Sequence, residues 1–542
     1  MHLRVLPLLF CLALPAAAQT HSARGPYQVG FTQRWIVDST RTYRYADASG
    51  RVLSDGPRPI AMNVWYPATG GGTPLRHGDY FDGAIPAGAK LPSVFGAITR
   101  ALAVHHRRTA TIELTRVQNV DSLDAAHRAA VDAFLEAPVA ARRDARRAIG
   151  RFPLVIYISG AGASWDDNAA LCERLASLGY VVVSSAWQRG DGTNLGTHDR
   201  FRTVEGDVRA LIVEAARHDG ADWTRVALIG HSAGAQSAIR LQTEGSSPAR
   251  AALILDTTQD TWSLTDERWG DGGFLDVIRN RYHRASGTFL FATVPEAQFQ
   301  VGDTLTNSER WYLTLPHLDH NDFIAQGIDG RRVRADAERR AGKPVTDSIE
   351  TAAVIAVNAF LNGYVVATLA ATLRSDTAAR ATLRAPLPQP LGGNQSRVEH
   401  RNIGESGPPS WQPSHGAPTP AQWRRLLLTG DHDTAFRILG DAWRADSTVP
   451  LFHQNVGLAI IRERLAAGDS LGARAIHQRY LALAPRFSNI MNAMLSWGSA
   501  MTSFAPNEPE RAAIWYRYAV MLDPSNAKAR EQLEAVERRM KR

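Results

Sequence analysis

Cysteine and lysine are both scarce in this sequence of 542 residues. It contains two cysteines, Cys11 and Cys172, and four of its 61 basic residues are lysines, the others being arginines. Cys11 lies in an N-terminal apolar run that has the pattern of a cleaved signal, so one cysteine would remain and no internal disulfide is predicted. The arginines are scattered among acidic residues rather than gathered in blocks. The net charge of +8 therefore predicts no nucleic-acid partner.

Long apolar runs are few, and the first is at the N-terminus. Residues 1–18 combine Arg4, an apolar stretch and an A-x-A cleavage pattern that ends before Gln19, which is the pattern of a secretory signal peptide. We expect this segment to be removed. A large exported chain without disulfides is typical of a bacterial periplasmic or secreted protein.

The second run, residues 352–373, has no charged side chain and is long enough to span a bilayer. It contains Asn358, Asn362 and Gly363 and follows a candidate catalytic loop. We therefore predict a buried helix against a sheet and no transmembrane span.

The rest of the chain has the composition of folded domains, with 44% hydrophobic and 21% charged residues. Residues 19–383 are predicted to form one α/β domain, in which 70–150 are an irregular insertion and a candidate lid. From residue 152, short apolar strands alternate with helical segments, which indicates a mostly parallel sheet with helices on both faces. Residues 384–417 are rich in proline and glycine and are predicted to be a linker.

Residues 418–542 have helical periodicity and a weak internal repeat. Its anchoring residues, Ala435, Ala473 and Ala512, are 38 and 39 residues apart. Small residues at such positions let paired helices approach closely. The segment resembles tetratricopeptide repeats, although their period is about 34 residues. This resemblance implies an all-α helical-repeat domain with a surface for a protein partner.

The strongest local motif is Gly230-His231-Ser232-Ala233-Gly234. It follows an apolar strand and begins a helix, which is the context in which G-x-S-x-G places a nucleophilic serine on a sharp turn. A serine needs a base and an orienting acid, and in this arrangement the chain order is Ser, acid, His. Ser232 is therefore the candidate nucleophile.

Candidates for the acid and the base follow in that order. Asp256 ends the next apolar strand, with Glu296 as the alternative acid. Two histidines, His317 and His320, lie in one loop before a helix, and the residues alone leave both open as the base. Because no third ligand accompanies them, no metal site is predicted, and no cofactor either.

The negative charge that develops on an attacked carbonyl requires two N–H donors. One follows the nucleophile, and the other comes from the loop after the first central strand. These positions are Ala233 and Ala161, the latter in the small, glycine-rich run 159–163. We predict that the two residues form the oxyanion hole.

Over about residues 27–375 these features resemble the α/β-hydrolase superfamily, and within it the platelet-activating-factor acetylhydrolases and dienelactone-hydrolase-like proteins. In the acetylhydrolases the acid lies about two dozen residues past the serine, which matches Asp256, and the histidine precedes an Asp-Phe pair by five residues, which selects His317 over His320. Dienelactone hydrolases proper use a cysteine, whereas this chain has Ser232. It departs from the family at Ser159, where the usual residue is histidine, and at Ala235, where it is glycine.

Together these features predict an exported serine hydrolase that cleaves carboxylic esters, lipid-like or short-acyl, through an acyl-enzyme. Two alternatives stay open. One is an inactive hydrolase-fold protein that binds a partner through its repeats, and the other is a peptidase of the same fold.

Overall fold

A computed structural model describes most of the chain after the N-terminal segment. The described residues are 25–46, 52–81, 95–117, 119–160, 163–185, 197–218, 220–243, 247–257, 285–293, 302, 305–315, 318–345, 348–387, 397–405, 432–445, 454–483, 490–491, 494–495, 498–499, 502 and 509–541. The predicted signal peptide and most of the predicted linker lie outside these ranges.

In the described ranges, twelve strands form one sheet, and its centre is parallel. The strands are β1 Gln28–Ala46, β2 Val52–Gly70, β3 Thr73–Arg76, β4 Pro138–Arg143, β5 Arg146–Arg147, β6 Phe152–Ile158, β7 Val181–Ser184, β8 Ala221–His231, β9 Ala249–Leu255, β10 Gly287–Thr293, β11 Ser308–Thr314 and β12 Arg397–Arg401. Their order is β12-β11-β10-β9-β8-β6-β7-β2-β1-β4-β3, with β5 paired to β2. From β11 to β7 every neighbouring pair is parallel.

Thirteen α-helices accompany the sheet in the described ranges. They are α1 Phe95–Thr115, α2 Ala125–Glu136, α3 Ala169–Ser177, α4 Thr197–His218, α5 Ala233–Thr243, α6 Ala325–Arg340, α7 Ser348–Leu373, α8 Thr377–Arg384, α9 His432–Ala445, α10 Gln454–Ala466, α11 Ser470–Leu483, α12 Pro509–Leu522 and α13 Ala527–Met540.

Alternate residues of the central strands face opposite sides of the sheet and define two cores. On one side Tyr157 and Ile229 pack with α3 and α7, and on the other Ile156 and Leu228 pack with α4 and α5. Helices therefore cover both faces, because strands that are apolar on every residue need a cover on each side. This mixed α/β arrangement agrees with the predicted hydrolase fold.

Helix α7 contains the uncharged segment noted in the sequence. Thr351–Leu373 is long and apolar enough to cross a membrane by length and composition, with a mean hydropathy of 1.7. Leu361, Val365 and Leu369 on this helix are fully buried in the core that also holds Leu253 of β9. The packing is that of a helix lying against the sheet.

Two parts of the sheet were not anticipated from the sequence. The predicted insertion 70–150 contributes β3, β4 and β5 to the sheet, and Val29 of β1 pairs with Ala141 of β4. The predicted linker contributes β12, which pairs antiparallel with β11. Edge strands are held by main-chain hydrogen bonds, and β12 carries mostly charged side chains, so it lacks the apolar pattern by which strands are found.

The C-terminal helices have a core of their own. The cluster spans residues 435–536, and the three predicted anchors Ala435, Ala473 and Ala512 are fully buried in it. Small side chains at these positions let neighbouring helices pack closely.

Candidate active site

Ser232 lies on the turn between β8 and α5. Its φ of +54° is in the left-handed region, which is uncommon for any residue with a side chain. The turn is closely packed, since a Cβ on Gly230 would collide with the Gly234 carbonyl oxygen and one on Gly234 would collide with that of Ile158. The two glycines of the motif thus let the strand, the turn and the helix approach each other, and Ser232 remains partly exposed.

The turn is hydrogen-bonded to the end of the neighbouring strand. The Ser232 N–H donates to the Leu255 carbonyl oxygen at 3.1 Å, and the next residue is Asp256. Asp256 also has a left-handed backbone, with a φ of +41°, and its N–H donates to the Ala292 oxygen at 2.7 Å. Two strained residues therefore lie side by side at the carboxyl edge of the sheet, where ligands bind in open α/β folds.

His320 joins this edge from the loop after β11. Its Nδ1 lies 2.6 Å from Oδ2 of Asp256, and 29% of its side chain is exposed against 9% for Asp256. A carboxylate only accepts hydrogen bonds, so Nδ1 carries the hydrogen and Nε2 is left with a lone pair that can take a proton. Of the two candidate histidines, His320 lies among the described residues, and it contacts Asp256 there.

The loop that carries His320 is a short 3-10 helix, His320–Phe323, fixed through Asp322. The Asp319 N–H donates to the Asp322 carboxylate at 2.9 Å, and Arg331 of α6 donates to both of its oxygens at 2.9 and 2.7 Å. Asn358 of α7 donates to the Asp322 carbonyl oxygen at 2.7 Å. These contacts could not be read from the sequence, because Asp322, Arg331 and Asn358 belong to three separate elements.

Of the other predicted site residues, the structure describes one. Ala233 is the first residue of α5, so its N–H is among those that have no partner inside the helix. Ala161, Glu296 and His317 lie outside the described residues.

Through α1, the insertion contacts the base loop and the segment that follows the glycine-rich run. Glu113 accepts a hydrogen bond from the Asn321 side chain at 2.8 Å, next to His320. His106 stacks on Trp165, five residues beyond Gly160, with ring centroids 4.8 Å apart. The α1 helix thus reaches from Trp165 to the base loop.

Burial perturbs several titratable groups around the site. It lowers the pKa of His106 to about 3, with a smaller contribution from His105. It raises the pKa of Asp166 to about 6 and that of Asp329 on α6 also to about 6. Within the described ranges, no group of three or more His, Cys, Asp or Glu side chains is arranged to hold a metal ion.

One buried group near the nucleophile was missed by the sequence analysis. His231, the second residue of the serine motif, is 2% exposed, and its Nε2 lies 2.9 Å from the His320 carbonyl oxygen. The motif admits any residue at this position. The sequence therefore gave no signal for this contact.

Comparisons with known proteins identify a structural similarity and no family. No protein-family model matches the sequence, and no curated protein matches it. Among solved structures, a ferulic acid esterase from Streptomyces cinnamoneus matches over 72% of this chain and 99% of its own, with 17% identity and a TM-score of 0.42. At that identity and score, only the geometry of the site bears on the function of this chain.

Proposed function

We propose that this protein is a serine hydrolase that cleaves carboxylic esters, with Ser232 as nucleophile, His320 as base and Asp256 as the acid that orients it. One observation supports the proposal. Ser232, on a strained strand-to-helix turn, lies at the same edge of the sheet as His320, which is hydrogen-bonded to the buried carboxylate of Asp256. The Ser232 N–H bond to Leu255 joins the two parts.

The chemistry follows from the hydrogen positions. The Asp256 carboxylate holds the hydrogen on Nδ1 of His320, so Nε2 accepts the Ser232 hydroxyl proton as Oγ bonds to the ester carbon. The protonated imidazole then gives this proton to the leaving alcohol as the ester C–O bond breaks. Water then attacks the acyl carbon while Nε2 takes its proton. That proton passes to Ser232 Oγ as the bond between Oγ and the acyl carbon breaks and the acid leaves.

The negative charge that develops on the ester carbonyl oxygen needs hydrogen-bond donors of its own. The Ala233 N–H at the start of α5 is one, and the N-terminal end of that helix favours negative charge. The Ala161 N–H is proposed as the other. Export through the signal at residues 1–18, and a protein partner for the C-terminal helices, belong to the same proposal.

The decisive test is covalent labelling by a fluorophosphonate, followed by intact mass. We expect the full chain to take up one label, Ser232→Ala to take up none, and Ser122→Ala, at an exposed serine, to label like the wild type. A folded wild type that takes up no label would contradict the proposal and favour the inactive interaction protein. Turnover of p-nitrophenyl butyrate against a peptide anilide then separates an esterase from a peptidase.

The base is tested by a matched pair, His320→Gln and His317→Gln. Loss of the base lowers the rate of such reactions by a factor on the order of 10³ or more. We expect this loss in the His320 variant alone. The reverse result would make His317 the base.

A further inference from the structure

His231 is buried between the nucleophile and the base. It is the last residue of β8, directly before Ser232, and its ring lies against the ring of His320, with centroids 4.7 Å apart and planes inclined by 34°. Its Nε2 is 2.9 Å from the main-chain carbonyl oxygen of His320. It therefore touches the base residue at two places.

The partner atom fixes where the hydrogen lies on His231. A carbonyl oxygen accepts and cannot donate, so Nε2 carries the hydrogen and Nδ1 has the lone pair. Burial, and then the neighbouring His320, lower the pKa of His231 to about 3. The ring is thus a neutral donor at neutral pH, and it adds no positive charge beside a base that must become protonated.

The other edge of the ring faces the glycine-rich run. A Cβ built on Gly160 would lie 3.3 Å from His231 Nδ1 and 3.4 Å from the Ser232 Cβ, so the loop passes close to both residues. No described residue donates a hydrogen bond to Nδ1. The ring is therefore packed between the glycine-rich run on one side and the base loop on the other.

We infer that His231 is a positioning residue, which holds the main chain of His320 through its Nε2–H while Asp256 holds the side chain. The imidazole of the base is then fixed at two points, which keeps Nε2 in place as the proton moves from Ser232 and back to the leaving group. This inference rests on the function proposed above.

The test uses two side chains of similar length and shape, His231→Gln and His231→Met. The glutamine amide offers a donor near the position of Nε2, whereas methionine has none. For p-nitrophenyl butyrate, we expect His231→Met to lower kcat by about 10- to 100-fold with KM changed less than about 3-fold. We expect His231→Gln to recover kcat to within about 5-fold of the wild type, and fluorophosphonate labelling rates to follow the same order.

The outcomes distinguish a failure of the positioning role of His231 from a failure of the proposed hydrolase function. If the folded wild type does not label, the hydrolase function itself fails. If the wild type labels through Ser232 and His231→Met matches its kcat per folded molecule, or the two variants lose activity equally, the positioning role is overturned.

A measurement on the wild type covers the case in which His231→Met does not fold. ¹⁵N NMR of the histidine side chains, with the His231 signals assigned from their absence in the glutamine variant, reports which nitrogen is protonated. We expect the Nε2–H form without titration between pH 5 and 8. An Nδ1–H form, or titration in that range, would overturn the inference.

Discussion

At the scale of single residues, the helix that follows the base loop carries a buried carboxyl group, Asp329, whose pKa is raised by burial. Asp329 on α6 is mostly buried, with 15% of its side chain exposed, and its ion pair with Arg332 at 3.1 Å involves an exposed arginine. Burial therefore outweighs the attraction and raises the pKa of Asp329 to about 6. The folded state takes up a proton here more readily than the unfolded chain does, which makes stability depend on pH.

Because the pKa of Asp329 is raised in the folded state, this residue lowers the free energy of unfolding at higher pH. The contribution of Asp329 to stability is greatest below its unfolded pKa and is lost as the pH rises through about 6. Asp329→Asn should therefore raise the free energy of unfolding by about 1–3 kcal/mol at pH 7.5 and change it little at pH 4. Urea unfolding at the two pH values measures this. Asp336→Asn, at a more exposed aspartate of the same helix, is the control, and an equal gain at both pH values would contradict the argument.

At the scale of elements, the base loop is held by its neighbours rather than by its own structure. A 3-10 helix of four residues has too few hydrogen bonds to be stable alone. Besides Asp256, four residues on separate elements bond to this loop. They are His231 at the end of β8, Glu113 on α1, Arg331 on α6 and Asn358 on α7. Any of these elements can therefore affect the base without touching a substrate.

The Arg331–Asp322 pair gives the prediction at this scale. Asp322 is 4% exposed and Arg331 12%, so Arg331→Met leaves a buried carboxylate without its strongest partner. We expect a loss of about 3–5 kcal/mol in the free energy of unfolding, together with a lower fluorophosphonate labelling rate. The control is Arg340→Met on the same helix, whose pair with Asp336 is exposed and should contribute less than about 1 kcal/mol. Equal losses in the two variants would show that the loop does not depend on the buried pair.

At the scale of the whole molecule, the cores are separate. The two clusters on the faces of the sheet hold residues from 29 to 383, whereas the third holds only residues from 435 to 536. Disturbing the third cluster should leave the sheet edge intact.

Two alanines on α13 test this separation. Ala529 is fully buried and Ala527 is exposed, two residues earlier on the same helix. Ala529→Asp buries an unpaired charge and should destabilise the C-terminal helices by several kcal/mol, while Ser232 labelling stays within about 2-fold of the wild type. Ala527→Asp should change neither quantity. Loss of labelling in Ala529→Asp alone would mean that the C-terminal helices support the site.

The elements found from the sequence are those with a local apolar pattern. The strand before Ser232 and the helix after it are predicted by that pattern, and the structure has both. The edge strand Arg397–Arg401 and the strand Pro138–Arg143 are not predicted, because their charged side chains conceal a pairing made by the main chain.

The sequence by itself determined the local chemistry: a serine between a buried strand and a helix, an aspartate at the end of the next strand, and two histidines in one later loop. Short-range periodicity and turn residues are enough for that, since each feature depends on a few consecutive residues. Only the tertiary structure decided that His320 lies against Asp256, 64 residues earlier in the chain. Only the tertiary structure revealed that His231 contacts His320. Contacts between separate loops depend on how the sheet and the helices pack, and no single segment of the sequence encodes that packing.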